Sequence, residues 1–212
     1  MGPSRRGADT RHKILDVAER EFARDGFAGA HLQHIAQQVG VQKTALYHYY
    51  PSKAALYEAV LVRMLEAFDH TVSKAIDRPE SPANRLGRLG DALNDLLSEQ
   101  RNYSQILIRI FVDRVEIDGV ALRPLIERVV GRLLAFYREG IDANAFAKLS
   151  SRNLFQSLLG ISVFHYASGE FGAQVLGVDD IFTQSAVAWR REEVRRLVSR
   201  GVLRHPTPDD DS

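Results

Sequence analysis

Residues 32–50 read LQHIAQQVGVQKTALYHYY, and this stretch decides the fold. Its first part, residues 32–38, predicts a helix, because apolar side chains recur at the spacing of one buried face. The members of that face are Leu32, Ile35, Ala36 and Val39. A tight turn follows at Val39-Gly40-Val41, and Pro51 predicts the end of a second helix over residues 42–50, since the residue before a proline disfavours helical geometry. Two short helices around a glycine-containing turn indicate a helix-turn-helix.

The second helix of this hairpin has two chemically different faces. The inward face is mostly apolar and, at 100° per residue, contains Ala45, Leu46 and Tyr49. The outward face has no carboxylate and offers an ammonium group, two hydroxyls and an imidazole, from Lys43, Thr44, Tyr47 and His48. Such groups suit phosphates and base edges, so the face is typical of a DNA-contacting surface. The alternative is one more hairpin of a helical bundle, with Tyr47 and His48 merely exposed.

Helical periodicity continues through almost the whole chain, which predicts an all-α fold. Nine helices are expected. The first begins at Thr10 and stops at Gly26, and the others cover about residues 32–38, 42–50, 52–75, 83–99, 103–116, 121–140, 144–169 and 179–200. Breaks are expected in the loop 77–82, at Asp118-Gly119, at Gly140 and in the segment 169–177. Lys53, in the first turn of the fourth helix, is expected to reach the phosphate backbone of DNA.

Composition excludes several classes of protein. The chain has 212 residues, 26% of them charged, a net charge of +1 and no cysteine, which excludes a disulfide scaffold and any cysteine-ligated metal site. No run approaches the roughly 18 apolar residues of a membrane span, and no apolar run follows Arg5 and Arg6, so a cytoplasmic protein is expected. Residues 1–56 hold eight Lys or Arg against five Asp or Glu, a net +3, and the remainder carries a net −2.

The stretch from Ile35 to Leu56 closely resembles the DNA-binding domain of TetR-family transcriptional regulators. The preceding pattern of Ile14 through Ala18, Phe22 and Gly26-Phe27 also matches, so the resemblance covers about residues 9–58. It implies a DNA-binding domain over residues 8–68 with its helix-turn-helix at about 31–50, and a ligand-binding and dimerisation domain over 69–203. The composition of the last residues predicts a disordered acidic tail over 204–212. The resemblance also implicates seven residues in DNA contact, namely His31, Gln42, Lys43, Thr44, Tyr47, His48 and Lys53.

Two departures from the family pattern affect these positions. The family usually has Thr or Ser where Ala30 and His31 stand, to cap the helix and touch phosphate. His31 can still donate to a phosphate, but the cap is weaker. The family also often has Ser at the position of Gln42 and Gly or Pro at that of Thr44. These changes bear on which operator sequence is read and leave the docking mode as expected.

The last two long helices are the expected dimer interface, because residues 154–164 are apolar around most of the helix. The candidate interface residues are Phe155, Leu158, Ile161, Ile181, Val187 and Val194. The alternative is that they serve only the subunit core. A ligand pocket is expected among aromatic and ionisable residues of the middle helices, at Tyr103, Arg109, Phe111, Asp113, Tyr137, His165 and Tyr166. The alternative is that each of these residues, taken singly, is an ordinary core or surface residue. For Arg109 and Asp113, which lie four positions apart, the alternative is an i,i+4 ion pair.

The resemblance implies a homodimeric repressor that binds a palindromic double-stranded DNA operator and is released by a small hydrophobic or aromatic effector. The alternatives are an activator or a corepressor-dependent regulator of the same fold, or a carrier or enzyme with a non-functional head. Catalytic motifs such as Gly-x-Ser-x-Gly, a P-loop and His-Glu-x-x-His are absent, so no enzyme is expected. No cofactor, metal site or membrane partner is expected either.

Overall fold

The protein is all-α, as the periodicity predicts. The computed structural model describes residues 5–113 and 121–204, and within these ranges it contains ten helices rather than the nine expected. They are α1 (Arg5–Gly29), α2 (Leu32–Val39), α3 (Lys43–Tyr49), α4 (Lys53–Ile76), α5 (Pro82–Glu99), α6 (Arg101–Asp113), α7 (Leu122–Asp142), α8 (Ser151–Ala167), α9 (Gly169–Leu176) and α10 (Gln184–Val202). The expected break at Asp118-Gly119 and the tail after residue 204 lie outside the described residues.

The first helix is longer than the caps suggested. It begins at Arg5 rather than Thr10, and its regular part stops at Gly26 as expected, where non-helical backbone angles separate it from one further turn that reaches Gly29. At Gly26 the chain kinks with φ +71°, a value that glycine adopts without strain. The next residue, Phe27, packs its ring against Phe22 and Tyr57, with centroids 6.4 and 5.2 Å away. The glycine therefore bends the helix end and directs the following aromatic residue into the core.

The tenth helix is α9, in the segment 169–177 where a break was expected. Glycines with positive φ stand at its two ends, Gly169 at +52° and Gly177 at +68°. The amide of Gly177 donates to the carbonyls of Ala173 and Gln174, which closes the helix as a left-handed cap. These glycines therefore delimit a short helix of eight residues and do not prevent one.

The expected helix over residues 144–169 is wrong at its start, and Gly140 is not a break. The helix α7 runs through Gly140 to Asp142, and α8 starts only at Ser151. Between them the backbone pairs with the end of α10, where the Ala147 amide donates to the Val202 carbonyl at 2.8 Å. The ring of Phe146 lies against Gly140, so closely that no side chain would fit there. A glycine is therefore needed at position 140, because the Phe146 ring occupies the space that a side chain would fill.

The chain divides into two compact units, described separately below. Unit 1 comprises the described residues of Met1–Glu66 and Asn102–Leu125, and therefore includes α6 with the first three helices. Its core is formed by fully buried side chains that include Ile14, Phe22, Ile35, Leu46, Tyr57 and Ile106. Unit 2 comprises the described residues of Ala67–Arg101 and Ile126–Ser212. Its core includes Val72, Leu89, Phe136, Phe146 and Val202.

Candidate DNA-binding surface

The hairpin of α2 and α3 is closed by Gly40. This residue has φ +82° and ψ 30°, the left-handed conformation, and its amide donates to the carbonyls of Ala36 and Gln37. The amide of Val41 donates to the Ala36 carbonyl at 2.9 Å, which completes a helix cap of the kind that glycine favours. Gln42 is the residue before α3 and not its first residue. The local sequence thus fixes the turn between the two helices without help from distant residues.

The inward side of the hairpin is anchored in the core of unit 1. Ile35, Ala36 and Leu46 have no measurable exposure, and Tyr50, which follows α3, is also buried. The absence of a larger side chain at Ala36 suits the close approach of two helices. Because these residues fill the core, α3 is held as a rigid element with its other face outward.

The outward face of α3 has the character that the sequence indicated. The five expected DNA-contacting residues in and directly before α3 are all exposed, namely Gln42, Lys43, Thr44, Tyr47 and His48. Tyr47 is 42% exposed although it is a large aromatic residue. Among the described residues no ion pair involves Lys43 or His48, so their donors are available to a ligand. A helix with exposed donors, a cation and an aromatic ring can bind phosphates and contact base edges.

His31 and Lys53 flank the hairpin and have different surroundings. His31 precedes α2 and makes no side-chain cap, and its exposed ring lies 5.5 Å from that of His34. Lys53 is half-buried. Its Nζ donates to the Ala28 carbonyl at 3.0 Å and lies 5.1 Å from the Phe27 ring centroid. Burial lowers the pKa of Lys53. The ammonium group therefore joins α4 to the end of α1, and any phosphate contact would use its remaining donors.

A buried carboxylate ties α1 to α2. Glu21 is 1% exposed, and its Oε1 accepts from Gln38 Nε2 at 3.0 Å and from Arg24 Nη2 at 2.8 Å. Hydrogen bonds to a charged group contribute more to stability than neutral ones, so this carboxylate stabilises the contact between α1 and α2. We did not expect this residue from the sequence. Its position seven residues after Ile14, on the same face of α1, was the signal that could have identified it.

Four expected pocket residues lie on α6, and two of them contact the end of α1. Arg109 donates through Nε to the Ala23 carbonyl at 2.8 Å and through Nη2 to the Arg24 carbonyl. The carboxylate of Asp113 lies against Gly26. By contrast, Tyr103 is buried and Phe111 is 64% exposed. These four side chains do not share one environment, although Arg109 and Asp113 act at the same place.

The remaining expected pocket residues lie in unit 2, at two places. The Tyr137 hydroxyl donates to the Ala147 carbonyl at 2.7 Å and accepts from the Leu149 amide at 2.6 Å, which fixes the segment before α8. The Tyr166 hydroxyl donates to Asn94 Oδ1 at 2.8 Å. His165 lies beside Tyr166, with ring centroids 4.7 Å apart.

His165 has an electrostatic environment unlike that of a surface histidine. Burial, together with the positive charge of Arg190, lowers the pKa of His165 to about 4, so its ring is neutral near pH 7. Its Nε2 is buried and has no hydrogen-bond partner among the described residues. A neutral imidazole with a free nitrogen can accept or donate one hydrogen bond to a bound molecule.

The expected dimer residues also have different surroundings. Phe155, Leu158, Ile161 and Val187 are half-buried. Ile181 precedes α10 and is 1% exposed, and Val194 is also buried. These two side chains lie among the buried residues of unit 2, so little or none of their surface is exposed, and their part in a dimer interface stays a prediction. The same two helices also carry more exposed apolar side chains outside the six candidate residues, namely Phe164, Trp189 and Leu197.

Two further features concern binding partners. No helix among the described residues is long and apolar enough to span a membrane. Within the same residues, no group of three or more His, Cys, Asp or Glu is placed to hold a metal ion.

The exposed α3 on a buried hairpin defines this chain as a helix-turn-helix DNA-binding protein. A family model described as bacterial regulatory proteins of the tetR family matches residues 14–60. The HTH-type transcriptional regulator RutR of Escherichia coli (strain K12) is 30% identical over 203 residues, which cover 89% of this chain and 88% of RutR. The chain therefore belongs to the TetR family, and it is a DNA-binding transcriptional regulator.

Solved structures of other transcriptional regulators share the fold over most of the chain. The TetR family transcriptional regulator PfmR from Thermus thermophilus superposes with a TM-score of 0.72 at 20% identity, covering 92% of this chain and 98% of PfmR. The ketosteroid transcriptional regulator KstR2 of Mycobacterium tuberculosis gives a TM-score of 0.64 at 17% identity, covering 92% of this chain and 95% of KstR2. At these identities the likeness concerns the fold alone.

Proposed function

We propose that this regulator is a repressor that binds a palindromic operator as a homodimer, reads it with α3, and releases it when a small apolar or aromatic effector binds. The observation that carries the proposal is the outward face of α3. It is exposed and free of carboxylates, and α3 is anchored on its other side by the fully buried Leu46. Specific DNA contacts require side chains placed in this way, because base edges are read only at hydrogen-bond distance.

The base-reading role is tested by mobility shift with DNA fragments selected by the purified protein. Lys43→Ala and Tyr47→Ala are expected to weaken binding to the selected fragment by at least tenfold, in line with about 1–3 kcal/mol per specific contact. Lys148→Ala removes an exposed lysine of unit 2 and is the matched control, with unchanged affinity expected. If both α3 variants bind like the control, the assignment of this surface is wrong.

The dimer proposal is supported by exposed apolar side chains on α8 and α10. Phe164 is 63% exposed, Trp189 51% and Leu197 55%. Arg190 on α10 donates to the Ile161 carbonyl of α8 at 2.7 Å, so the two helices are fixed to each other. A stable dimer usually buries about 1,200–2,000 Å² in total, and two long helices from each subunit can supply that area. Two copies of α3 about 34–36 Å apart would then enter successive major grooves.

Sedimentation tests the dimer. The wild-type protein is expected to sediment as a dimer at micromolar concentration, and Phe164→Asp is expected to shift it toward the monomer with loss of operator binding. Phe171→Asp, on α9, replaces a side chain with a similar exposure of 64% and is the control. A wild-type monomer, or equal effects of both variants, would contradict the proposed interface.

The effector proposal places one polar contact of the effector at His165. The support is the neutral ring, its unpartnered buried Nε2 and the neighbouring Tyr166 ring, which together favour an aromatic or apolar molecule with one hydrogen-bonding group. A screen of such molecules by thermal shift, followed by mobility shift, tests this. A molecule that lowers operator affinity in wild type and loses its effect in His165→Leu supports the proposal. A molecule that tightens operator binding would make this a corepressor-dependent regulator.

A further inference from the structure

The first turns of α1 carry an arginine that the family resemblance does not implicate in DNA contact. The Arg11 guanidinium lies 4.9 Å from the centroid of the Tyr50 ring, a cation–π contact. Arg11 shares a face of α1 with Leu15 and Ala18, which are four and seven residues further on, but its side chain is exposed. The buried stripe of α1 thus ends in a cation at the surface of unit 1.

The Tyr50 ring places this cation at the end of α3. Tyr50 directly follows α3, and its amide donates to the Leu46 carbonyl at 3.0 Å, so it continues the helix end. Burial raises the pKa of the Tyr50 hydroxyl, and the positive charge of Arg11 opposes this rise. Arg11 therefore lies at the C-terminal end of the DNA-reading helix, and Lys43 stands at its N-terminal end.

No carboxylate among the described residues pairs with Arg11. Two other arginines of unit 1 are paired, Arg24 with Glu21 and Arg63 with Glu19. Over residues 5–113 and 121–204, no ion pair involves Arg11. The sequence around it adds to the positive charge, since residues 5–13 hold four Lys or Arg and a single Asp. An uncompensated guanidinium on a surface is a suitable partner for an anion.

The geometry of DNA places phosphates at this end of α3. Seven residues of helix extend about 10.5 Å at 1.5 Å per residue, close to the roughly 12 Å width of the major groove. Helix-turn-helix proteins contact base edges with the N-terminal residues of the recognition helix, so the chain beyond its C-terminus faces the groove wall. That wall is densely charged, with one phosphate per about 1.7 Å of duplex axis.

We infer that Arg11 binds a backbone phosphate of the operator, and that the first turns of α1 extend the DNA-binding surface beyond the helix-turn-helix. This inference rests on the proposed function. The cation–π contact with the Tyr50 ring positions the guanidinium in the absence of DNA. Lys53, the flanking cation that the family resemblance implicates, already donates to Ala28, whereas the exposed Arg11 guanidinium interacts with Tyr50 and forms no ion pair among the described residues.

The salt dependence of operator binding tests the inference. The slope of log K against log[salt] is negative, and each phosphate contact increases its magnitude by about 0.9. Arg11→Ala is expected to reduce the magnitude of that slope by about 0.9 per subunit. Arg11→Lys keeps the charge and is expected to keep the slope. Arg11→Gln is a second neutral variant with a longer side chain, expected to match Arg11→Ala.

Arg20→Ala is the matched control. Arg20 is an exposed arginine of the same helix, and nine residues at 100° place it on the opposite side of α1 from Arg11. Its removal is expected to leave the slope unchanged. If Arg11→Ala and Arg20→Ala give the same slope, the inference is overturned. Lys43→Ala and Tyr47→Ala, measured in the same series, separate the two proposals, because the DNA-reading role of α3 is contradicted only if both of these variants bind like wild type.

Discussion

Gly40 offers a clean test of the turn that positions α3. Its φ of +82° lies in the left-handed region, and a Cβ built on it would meet nothing within 4 Å. Gly40→Ala therefore introduces no steric contact, and its effect comes from the backbone alone. Placing an L-residue in this conformation costs about 1–2 kcal/mol, and the loss of freedom in the unfolded chain offsets about 0.4–1 kcal/mol of this. The expected net loss in the free energy of unfolding is about 1 kcal/mol.

Two control variants show whether the loss in the free energy of unfolding comes from the left-handed conformation at residue 40. Gly131 lies within α7 and also has open space around its Cβ position, but it has helical geometry. Gly131→Ala is expected to stabilise by about 0.5–1 kcal/mol, since alanine suits a helix interior better than glycine. Gly40→Asn is expected to destabilise less than Gly40→Ala, because asparagine tolerates the left-handed conformation.

Thermal unfolding followed by circular dichroism measures all three variants. For a chain of this size, 1 kcal/mol corresponds to a shift of about 2–4 °C in Tm. Gly40→Ala is expected to melt below wild type and Gly131→Ala above it. At temperatures well below the melting range, operator binding by Gly40→Ala is expected to stay within about twofold of wild type, because the folded variant keeps the turn between α2 and α3. A Gly40→Ala protein that melts at or above the wild-type temperature would refute the left-handed turn.

Three further predictions follow from individual contacts. Glu21→Ala is expected to destabilise by about 1–3 kcal/mol, because Gln38 and Arg24 lose their shared acceptor, and Glu21→Gln, which keeps one acceptor oxygen, is expected to lose less in denaturant titration. Gly140→Ala is expected to destabilise by about 1–3 kcal/mol through overpacking against the Phe146 ring, the opposite of the gain at Gly131, and equal melting temperatures for the two variants would contradict it. The folded-state pKa of His165, about 4, lies below the value of 6.5 for an exposed histidine, so the unfolded chain binds the extra proton first. Stability is therefore expected to be fully present above pH 6.5 and to fall between pH 6.5 and 4, and a His165→Leu variant with the same pH dependence of Tm would contradict this.

The sequence predicted the hairpin well because its signals are local. The apolar spacing around Ile35, the left-handed Gly40 and the stop at Pro51 all act within a few residues of one another. The exposed face of α3 follows from the same local pattern, since at 100° per residue Thr44 and His48 lie on the side of the helix opposite the buried Leu46. Local signals also explain why the fold class could be predicted without any knowledge of tertiary contacts.

The errors arose where distant residues decide the structure. The segment before α8 is extended because its backbone pairs with the end of α10, more than fifty residues later, and Gly140 is needed only because Phe146 packs on it. The internal bond from Lys53 to Ala28 joins residues 25 apart and leaves no trace in the local pattern. The apolar run of α8 covers more of the helix surface than one buried face needs, but its periodicity does not indicate that Phe164 is an exposed residue.

The contacts of α6 bear on what the DNA-reading unit consists of. Asn102 Nδ2 donates to the buried Glu19 carboxylate at 2.9 Å, and Arg109 binds the carbonyls at the end of α1. Without α6, Glu19 would lose one of its donors, and the carbonyls of Ala23 and Arg24 would lose their charged partner. From α1 the contacts continue through Glu21 to Gln38 on α2, and α2 determines where α3 begins through the turn at Gly40. A displacement of α6 would therefore act on the same set of contacts that holds α3, so α6 belongs to the structural unit that positions this helix.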